Sequence, residues 1–175
     1  MNEVIKAMHE RRSIRKFKPE LPPRELINEV IEAGLYAASG RGRQTSIILA
    51  VTNKELLAKL SKINCQIGGW DEGFDPFYGA PCALIVLDEK SWSTCGYDGS
   101  LVMGNMMLAA HSLGLASCWI HRAKQEFETD EYKALLKELG ITDEYVGIGH
   151  CALGYADAPL PPAPPRKENR VYWIE

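Results

Sequence analysis

The chain has 175 residues, a net charge of -3, and a composition of 46% hydrophobic and 25% charged residues. This length predicts one domain over residues 1–175, and the composition excludes disordered and fibrous classes. Without a general basic field, we expect no nucleic-acid partner. No apolar run is long enough to span a bilayer and the start MNEVIKAMHE does not resemble a secretory signal, so we expect a cytoplasmic protein without membrane contact.

The cysteines and histidines point to packing and not to a metal site. Five cysteines form an odd, widely spaced set without a C-x-x-C pair, which is typical of reduced core thiols. None of the four histidines pairs with another at the i, i+4 spacing of a metal site. We therefore predict no metal, and for Cys118 we favour a core position over a role in the site.

The predicted elements alternate between helices and strands. Asn2 caps a short helix with Val4, Ile5 and Met8 on one face, and a longer amphipathic helix covers 25–38. A buried strand follows at 46–52, then a helix capped by Asn53, a Gly- and aromatic-rich loop at 68–81, and a second buried strand at 83–87.

The second half predicts a helix over 98–113 that is apolar on nearly all sides and ends at Gly114. A short strand at 116–120, a polar helix from a Thr129 cap to Leu139, and a long strand at 145–155 complete a sheet of at least four strands. Residues 158–165 contain five prolines and run extended. The chain then ends in the apolar run 171–174, so we expect this arm to dock on a partner subunit.

The basic run at 11–16 is the first candidate for chemistry. In an extended segment Arg11, Ser13 and Arg15 point to one side, while Arg12, Ile14 and Lys16 point to the other. Two guanidinium groups and a hydroxyl suit a phosphate, because arginine forms planar bidentate hydrogen bonds. A solvated basic patch at a helix end explains the same spacing equally well.

Two glycine-containing segments are further candidates. The loop 39–44 (SGRGRQ) is basic and lets backbone approach a ligand, but it lacks the spacing of a P-loop, and turn chemistry explains its glycines equally well. The segment 147–152 (GIGHCA) opens like a dinucleotide-binding fingerprint, yet the last glycine is out of register and no helix follows. We interpret it as a strand whose glycines admit close packing.

Taken in order, these segments resemble the nitroreductase family of FMN proteins over nearly the whole chain. The resemblance is carried by RRSIRKF at 11–17 after a short helix, with matches at 38–44, 79–81, 108–115 and 117–120. It implies an α+β three-layer sandwich, with a mixed, mostly antiparallel sheet flanked by helices. It also implies an intertwined homodimer, with FMN sites at the subunit interface and an arm at 156–175 that docks on the partner subunit.

The resemblance also implies the cofactor contacts. The loop 39–44 comes from the other subunit, although Gly42 and Thr45 stand where the family usually has Asn and Pro. Backbone around 119–122 lines the flavin ring near its reactive nitrogen, and the aromatic loop shapes the acceptor pocket. The implied cofactor residues are Arg11, Arg12, Ser13, Arg15, Ser39, Gly40, Arg43, Gln44, Trp119, Ile120, His121, Arg122, Arg166 and Lys167; the implied pocket residues are Trp70, Phe74, Phe77 and Tyr78.

The function implied is an FMN-dependent oxidoreductase that passes electrons from NAD(P)H to nitroaromatic, quinone or related acceptors by a ping-pong mechanism. The flavin itself carries the chemistry, so no protein residue is assigned as catalytic. A non-catalytic flavin-binding redox sensor or cofactor store is the alternative. An anion-binding domain without flavin ranks last, since it leaves the order of the other motifs unexplained. Specialised reactions such as dehalogenation stay open, because fold and cofactor do not fix the substrate.

Overall fold

Six α-helices and one four-stranded sheet make up the computed structural model, which describes residues 1–175. The helices are α1 (Glu3–Glu10), α2 (Arg24–Leu35), α3 (Lys54–Gly68), α4 (Tyr97–Ser112), α5 (Ala123–Phe127) and α6 (Asp130–Glu138). The strands are β1 (Ile47–Val51), β2 (Cys82–Glu89), β3 (Ala116–Ile120) and β4 (Tyr145–Gly154). The sheet has the order β1-β2-β4-β3, and all three strand pairings are antiparallel.

The sheet is the middle layer of a three-layer sandwich. Its central strand β2 is buried along almost its whole length, and alternate residues face opposite sides because side chains alternate along a strand. On one side Ile85 packs in a core with side chains of α3, α5 and α6; on the other Leu84 packs with α2 and α4. The predicted α+β sandwich is confirmed.

Local signals place most helix ends where the sequence predicts them. The Asn2 side chain accepts a hydrogen bond from the Val4 amide at 2.8 Å, and that of Asn53 accepts from the Leu56 amide at 2.9 Å, so both predicted caps are confirmed. Thr129 stands at the N-cap of α6, but the predicted capping bond is wrong. Its hydroxyl instead donates to the Glu126 carbonyl at 2.7 Å.

One helix boundary and one additional helix differ from the prediction, each for a visible reason. Helix α2 ends at Leu35 and not at residue 38, because the Ala37 amide bonds to the Gly34 carbonyl in a tighter turn. The five-residue helix α5 was not predicted; it follows Arg122, whose left-handed backbone (φ 80°) separates it from β3. Five residues are too few to show a helical period.

Several apolar side chains lie on the surface of the single chain. Helix α1 buries none of its residues, so its apolar side Val4, Ile5 and Met8 is exposed. Helix α4 was predicted to be buried on most sides, but its Leu101 is 51% exposed. The arm leaves the sheet after an ion pair between Lys16 and Asp157 (2.9 Å) and ends in the exposed run Val171, Tyr172, Trp173 and Ile174.

The cysteines behave as core residues. All five are free thiols, and four are buried: Cys65, Cys82, Cys118 and Cys151. Burial raises the pKa of the Cys82 thiol from 9.0 to about 12, since the interior disfavours a thiolate. None of the helices combines the length and apolar character needed to cross a membrane.

Candidate functional site

The basic run is extended and is fixed against the outer edge of β3. Ser13 forms a parallel bridge with Ser117, and the Ile14 amide donates to the Ser117 carbonyl at 3.0 Å. Ile14 is only 3% exposed and anchors the segment in the core. The hydrophobic residue thus holds the backbone, while the neighbouring polar side chains are free to face a ligand.

These polar side chains line a cavity of about 740 Å³. Arg11, Ser13 and Arg15 reach it as the predicted alternation requires. Arg12 reaches it as well, although alternation places it on the opposite side; its Nη1 donates to the carbonyls of His9 and Arg11, both at 2.6 Å. The complete lining holds no acidic residue and consists of Met8, His9, Arg11, Arg12, Ser13, Arg15, Pro161, Pro162, Ala163, Pro164 and Arg166.

The arginines offer hydrogen-bond donors that the protein itself does not use. Arg11 Nη1 and Arg12 Nε are buried and have no hydrogen-bond partner. Arg15 is exposed and takes part in no ion pair. Buried polar groups in proteins are nearly always paired, so unpaired guanidinium donors around a cavity without acids fit an anionic ligand.

The proline-rich arm closes one side of this cavity. Its residues 161–164 and Arg166 lie opposite the basic run within the same chain. Lys167 does not line the cavity; with Arg166 it borders a shallow surface depression nearer the end of the arm. The structure therefore brings Arg166 to Arg11, Arg12, Ser13 and Arg15, and leaves Lys167 outside.

Cys118 lies in the core beneath the basic run and is 2% exposed, which confirms the core position predicted for it. Burial raises the pKa of its thiol, while Arg15, a hydrogen bond with Ser13 and Arg11 act in the opposite direction. The net shift is upward, so the thiol stays protonated at neutral pH.

The segment 119–122 continues β3 away from the basic run. The indole of Trp119 packs against Gly149, where an added Cβ would lie 2.3 Å from Nε1. Gly147 is equally crowded by the backbone of Ala123, so the predicted close packing of this glycine strand is confirmed. Past the strand, the Arg122 guanidinium stacks over the Trp70 ring at 4.1 Å.

The loop 39–44 does not reach the arginine cavity within one chain. It lies at the start of α4, where the Gly40 amide donates to Asp98 Oδ2 at 2.9 Å and Arg43 stacks over Trp92 at 4.9 Å. The Gln44 amide donates to the Ser39 hydroxyl at 3.0 Å. None of the four predicted contact residues of this loop lines the cavity.

A second cavity, of about 710 Å³, lies between α3 and the aromatic loop. Trp70, Phe74 and Phe77 line it, and Phe77 is otherwise buried with its ring 5.1 Å from that of His150. Tyr78 does not line this cavity but packs edge-on against Phe74, with ring centres 6.0 Å apart. The two cavities share no lining residue.

A buried polar network near residue 120 was not predicted. The side chains of Asn64, Glu126 and His150 come from α3, α5 and β4, and all three are fully buried. Glu126 Oε2 lies 2.7 Å from His150 Nε2, and Asn64 Nδ2 donates to Glu126 Oε1 at 2.7 Å. No spacing in the sequence links these residues, because only the tertiary fold brings them together.

An α+β sandwich with an acid-free, arginine-lined cavity has the fold and the charge distribution that suit an anionic small molecule. The model of the nitroreductase family matches residues 8–67 and 70–155. A nitroreductase from Bacteroides fragilis, solved with bound FMN, is 31% identical with a TM-score of 0.90, and the match covers all of both chains. The chain therefore belongs to the nitroreductase family.

Two other relatives give the same assignment. An FMN-bound nitroreductase from Desulfitobacterium hafniense is 29% identical with a TM-score of 0.87, and the match again covers all of both chains. The Bacillus subtilis protein named FMN reductase (NAD(P)H) is 36% identical over 136 residues, which are 67% of this chain and 53% of that one. Membership of the family makes the protein an oxidoreductase.

Proposed function

We propose that the protein is an FMN-dependent oxidoreductase that passes electrons from NAD(P)H to nitroaromatic, quinone or related acceptors by a ping-pong mechanism. The observation that carries the proposal is the cavity at 11–15, with its unpaired arginine donors and no acid. Relatives that match the entire chain were solved with bound FMN.

The arginine cavity fits the cofactor chemically. A phosphate monoester carries close to two negative charges at neutral pH and several acceptor oxygens. Arg11, Arg12, Arg15 and Arg166 supply guanidinium donors, and Ser13 adds a hydroxyl. We propose that these residues hold the phosphate, the ribityl chain and the pyrimidine edge of the ring. Lys167 stays a predicted neighbour of the phosphate.

When bound, FMN supplies the redox chemistry, while the protein provides binding, orientation and electrostatics. Segment 119–122 would then line the flavin ring, and the arginines would stabilise the negative charge of reduced flavin. Trp70 joins this segment to the aromatic cavity through its stacking with Arg122. We propose that the acceptor enters through this cavity, where the rings of Trp70, Phe74 and Phe77 favour planar molecules and Tyr78 packs against Phe74.

We propose that a homodimer completes the site. The loop residues Ser39, Gly40, Arg43 and Gln44 of a second copy then add to the cofactor contacts that one chain lacks. Two apolar surfaces of the single chain support this proposal, namely the exposed face of α1 and the exposed end of the arm. Apolar surface of this kind is typical of an interface.

The purified protein tests the proposal through its visible spectrum and its oxidation of NAD(P)H. We expect flavin absorption bands, or their appearance after FMN is added and the excess removed. We also expect steady-state NAD(P)H oxidation when a quinone or nitroaromatic is present. Absence of flavin uptake would refute the proposal. FMN binding without NAD(P)H oxidation would instead favour a redox sensor or cofactor store.

A further inference from the structure

We infer that Asn64, Glu126 and His150 are positioning residues that aim the backbone amides of His121 and Arg122 at the bound cofactor. The inference rests on the proposed FMN site. Cofactor binding by the arginines does not explain why this network is buried in the protein, and the inference gives the network a role. None of the three side chains reaches the surface, so they act through the backbone they hold.

The network ends on two consecutive carbonyl groups. Asn64 Nδ2 donates to the His121 carbonyl at 2.8 Å, and His150 Nδ1 lies 3.3 Å from the Ile120 carbonyl. A carbonyl can only accept, so this contact is a hydrogen bond in the tautomer that carries a proton on His150 Nδ1. One further proton lies between His150 Nε2 and Glu126 Oε2. The pair then has no net charge, which makes its complete burial tolerable.

The geometry of the peptide bond determines where the amides point. In a planar trans peptide the C=O and the following N–H point in opposite directions. Because the carbonyls of Ile120 and His121 face the buried network, the amides of His121 and Arg122 face away from it. Neither amide donates a hydrogen bond to any other group of the protein. Two adjacent backbone donors are thus presented on the surface that the proposed function gives to the flavin ring.

The turn needs such support because Arg122 has a left-handed backbone (φ 80°), which is unfavourable for a residue with a side chain. Its carbonyl accepts from the Glu126 amide at 3.1 Å, so Glu126 holds this turn through its backbone as well as its side chain. The donors follow directly after β3, the strand whose Ser117 pairs with Ser13 of the basic run. Residue 121 is four positions beyond Ser117, about 13 Å along an extended chain.

The test compares three substitutions. Asn64→Leu preserves size and removes both hydrogen bonds of Nδ2, to the His121 carbonyl and to Glu126 Oε1, while the lost Oδ1 had no hydrogen-bond partner. Glu126→Gln keeps the hydrogen bonds, since its amide donates to His150 Nε2 and its oxygen still accepts from Asn64. Asn105→Leu is the matched control. It removes a bond of the same type, from Nδ2 to the Ala33 carbonyl at 3.0 Å, between α4 and α2.

The readouts are the FMN dissociation constant and the amide proton shifts of His121 and Arg122 in NMR spectra recorded with and without FMN. In the wild type, Glu126→Gln and Asn105→Leu, we expect both amide protons to move downfield when FMN binds. In Asn64→Leu, we expect a smaller shift and an FMN dissociation constant about five-fold higher, the effect of one ordinary hydrogen bond.

Two outcomes would overturn the inference. One is an Asn64→Leu variant that binds FMN with unchanged affinity and unchanged amide shifts. The other is wild-type protein that binds FMN while the His121 and Arg122 amides do not respond; this decides the matter even if Asn64→Leu does not fold. Failure of the wild type to bind FMN at all is a different result, which refutes the proposed function.

Discussion

Replacing Arg15 by glutamine tests whether the basic run binds the cofactor. Arg15 is exposed, lines the arginine cavity and forms no ion pair in the chain, so its charge contributes little to folding. Its loss removes a charge-assisted interaction of about 1.5–3 kcal/mol with the ligand. This corresponds to an FMN dissociation constant higher by roughly ten- to a hundred-fold. The other three arginines of the cavity remain, which is why we expect weaker binding and not its loss.

The assay is a fluorescence titration of FMN into flavin-free protein at about 0.15 M salt, together with a urea unfolding curve. Arg24→Gln is the matched control, because Arg24 is also exposed but lines neither large cavity. Both variants change the net charge equally, and we expect both to unfold within about 0.5 kcal/mol of the wild type. Equal FMN affinity in the two variants would refute the assignment of Arg15.

Two further predictions concern assembly and pH. Deleting residues 168–175 removes the exposed apolar end of the arm but keeps Arg166 and Lys167. We expect sedimentation to show a dimer for the full chain and a monomer for the deletion variant. A full chain that sediments as a monomer, like the deletion variant, would contradict the docking prediction. The pKa of Cys82 is raised from 9.0 to about 12 in the folded state, so its contribution to stability is complete below pH 9 and lost as the pH rises towards 12. Urea unfolding curves at pH 8 and pH 10.5 measure this effect. Between these pH values we expect the unfolding free energy of Cys82→Ala to fall by about 2 kcal/mol less than that of the wild type. Equal decreases in the two proteins would show that this thiol does not titrate as inferred.

The sequence predicts those features that depend on neighbours along the chain. The caps at Asn2 and Asn53, the β3 strand and the extended basic run all follow from local patterns. Hydrophobic alternation explains why Ile14 is buried while the residues beside it face the cavity. It fails for Arg12, because a long flexible side chain can fold back onto local carbonyls and still reach the same space.

The features that could not be predicted depend on contacts distant in the chain. Glu126 and His150 are 24 positions apart and Asn64 and Glu126 are 62 apart, so no local spacing connects them. Helix α5 is too short for a period and starts from a left-handed residue without a capping side chain. The composition of the aromatic loop indicates a pocket, but only the fold shows that Tyr78 does not line it.

The five prolines at 158–165 have a consequence for the entropy of assembly. Each proline ring fixes one backbone torsion, so the arm has few conformations to lose in the proposed docking. Replacing them with glycine or serine would leave every proposed docking contact of the terminal residues 171–174 in place, yet raise the ordering cost of each arm. In the proposed homodimer, the affinity between subunits is set partly by the stiffness of a segment that need not touch the partner at all.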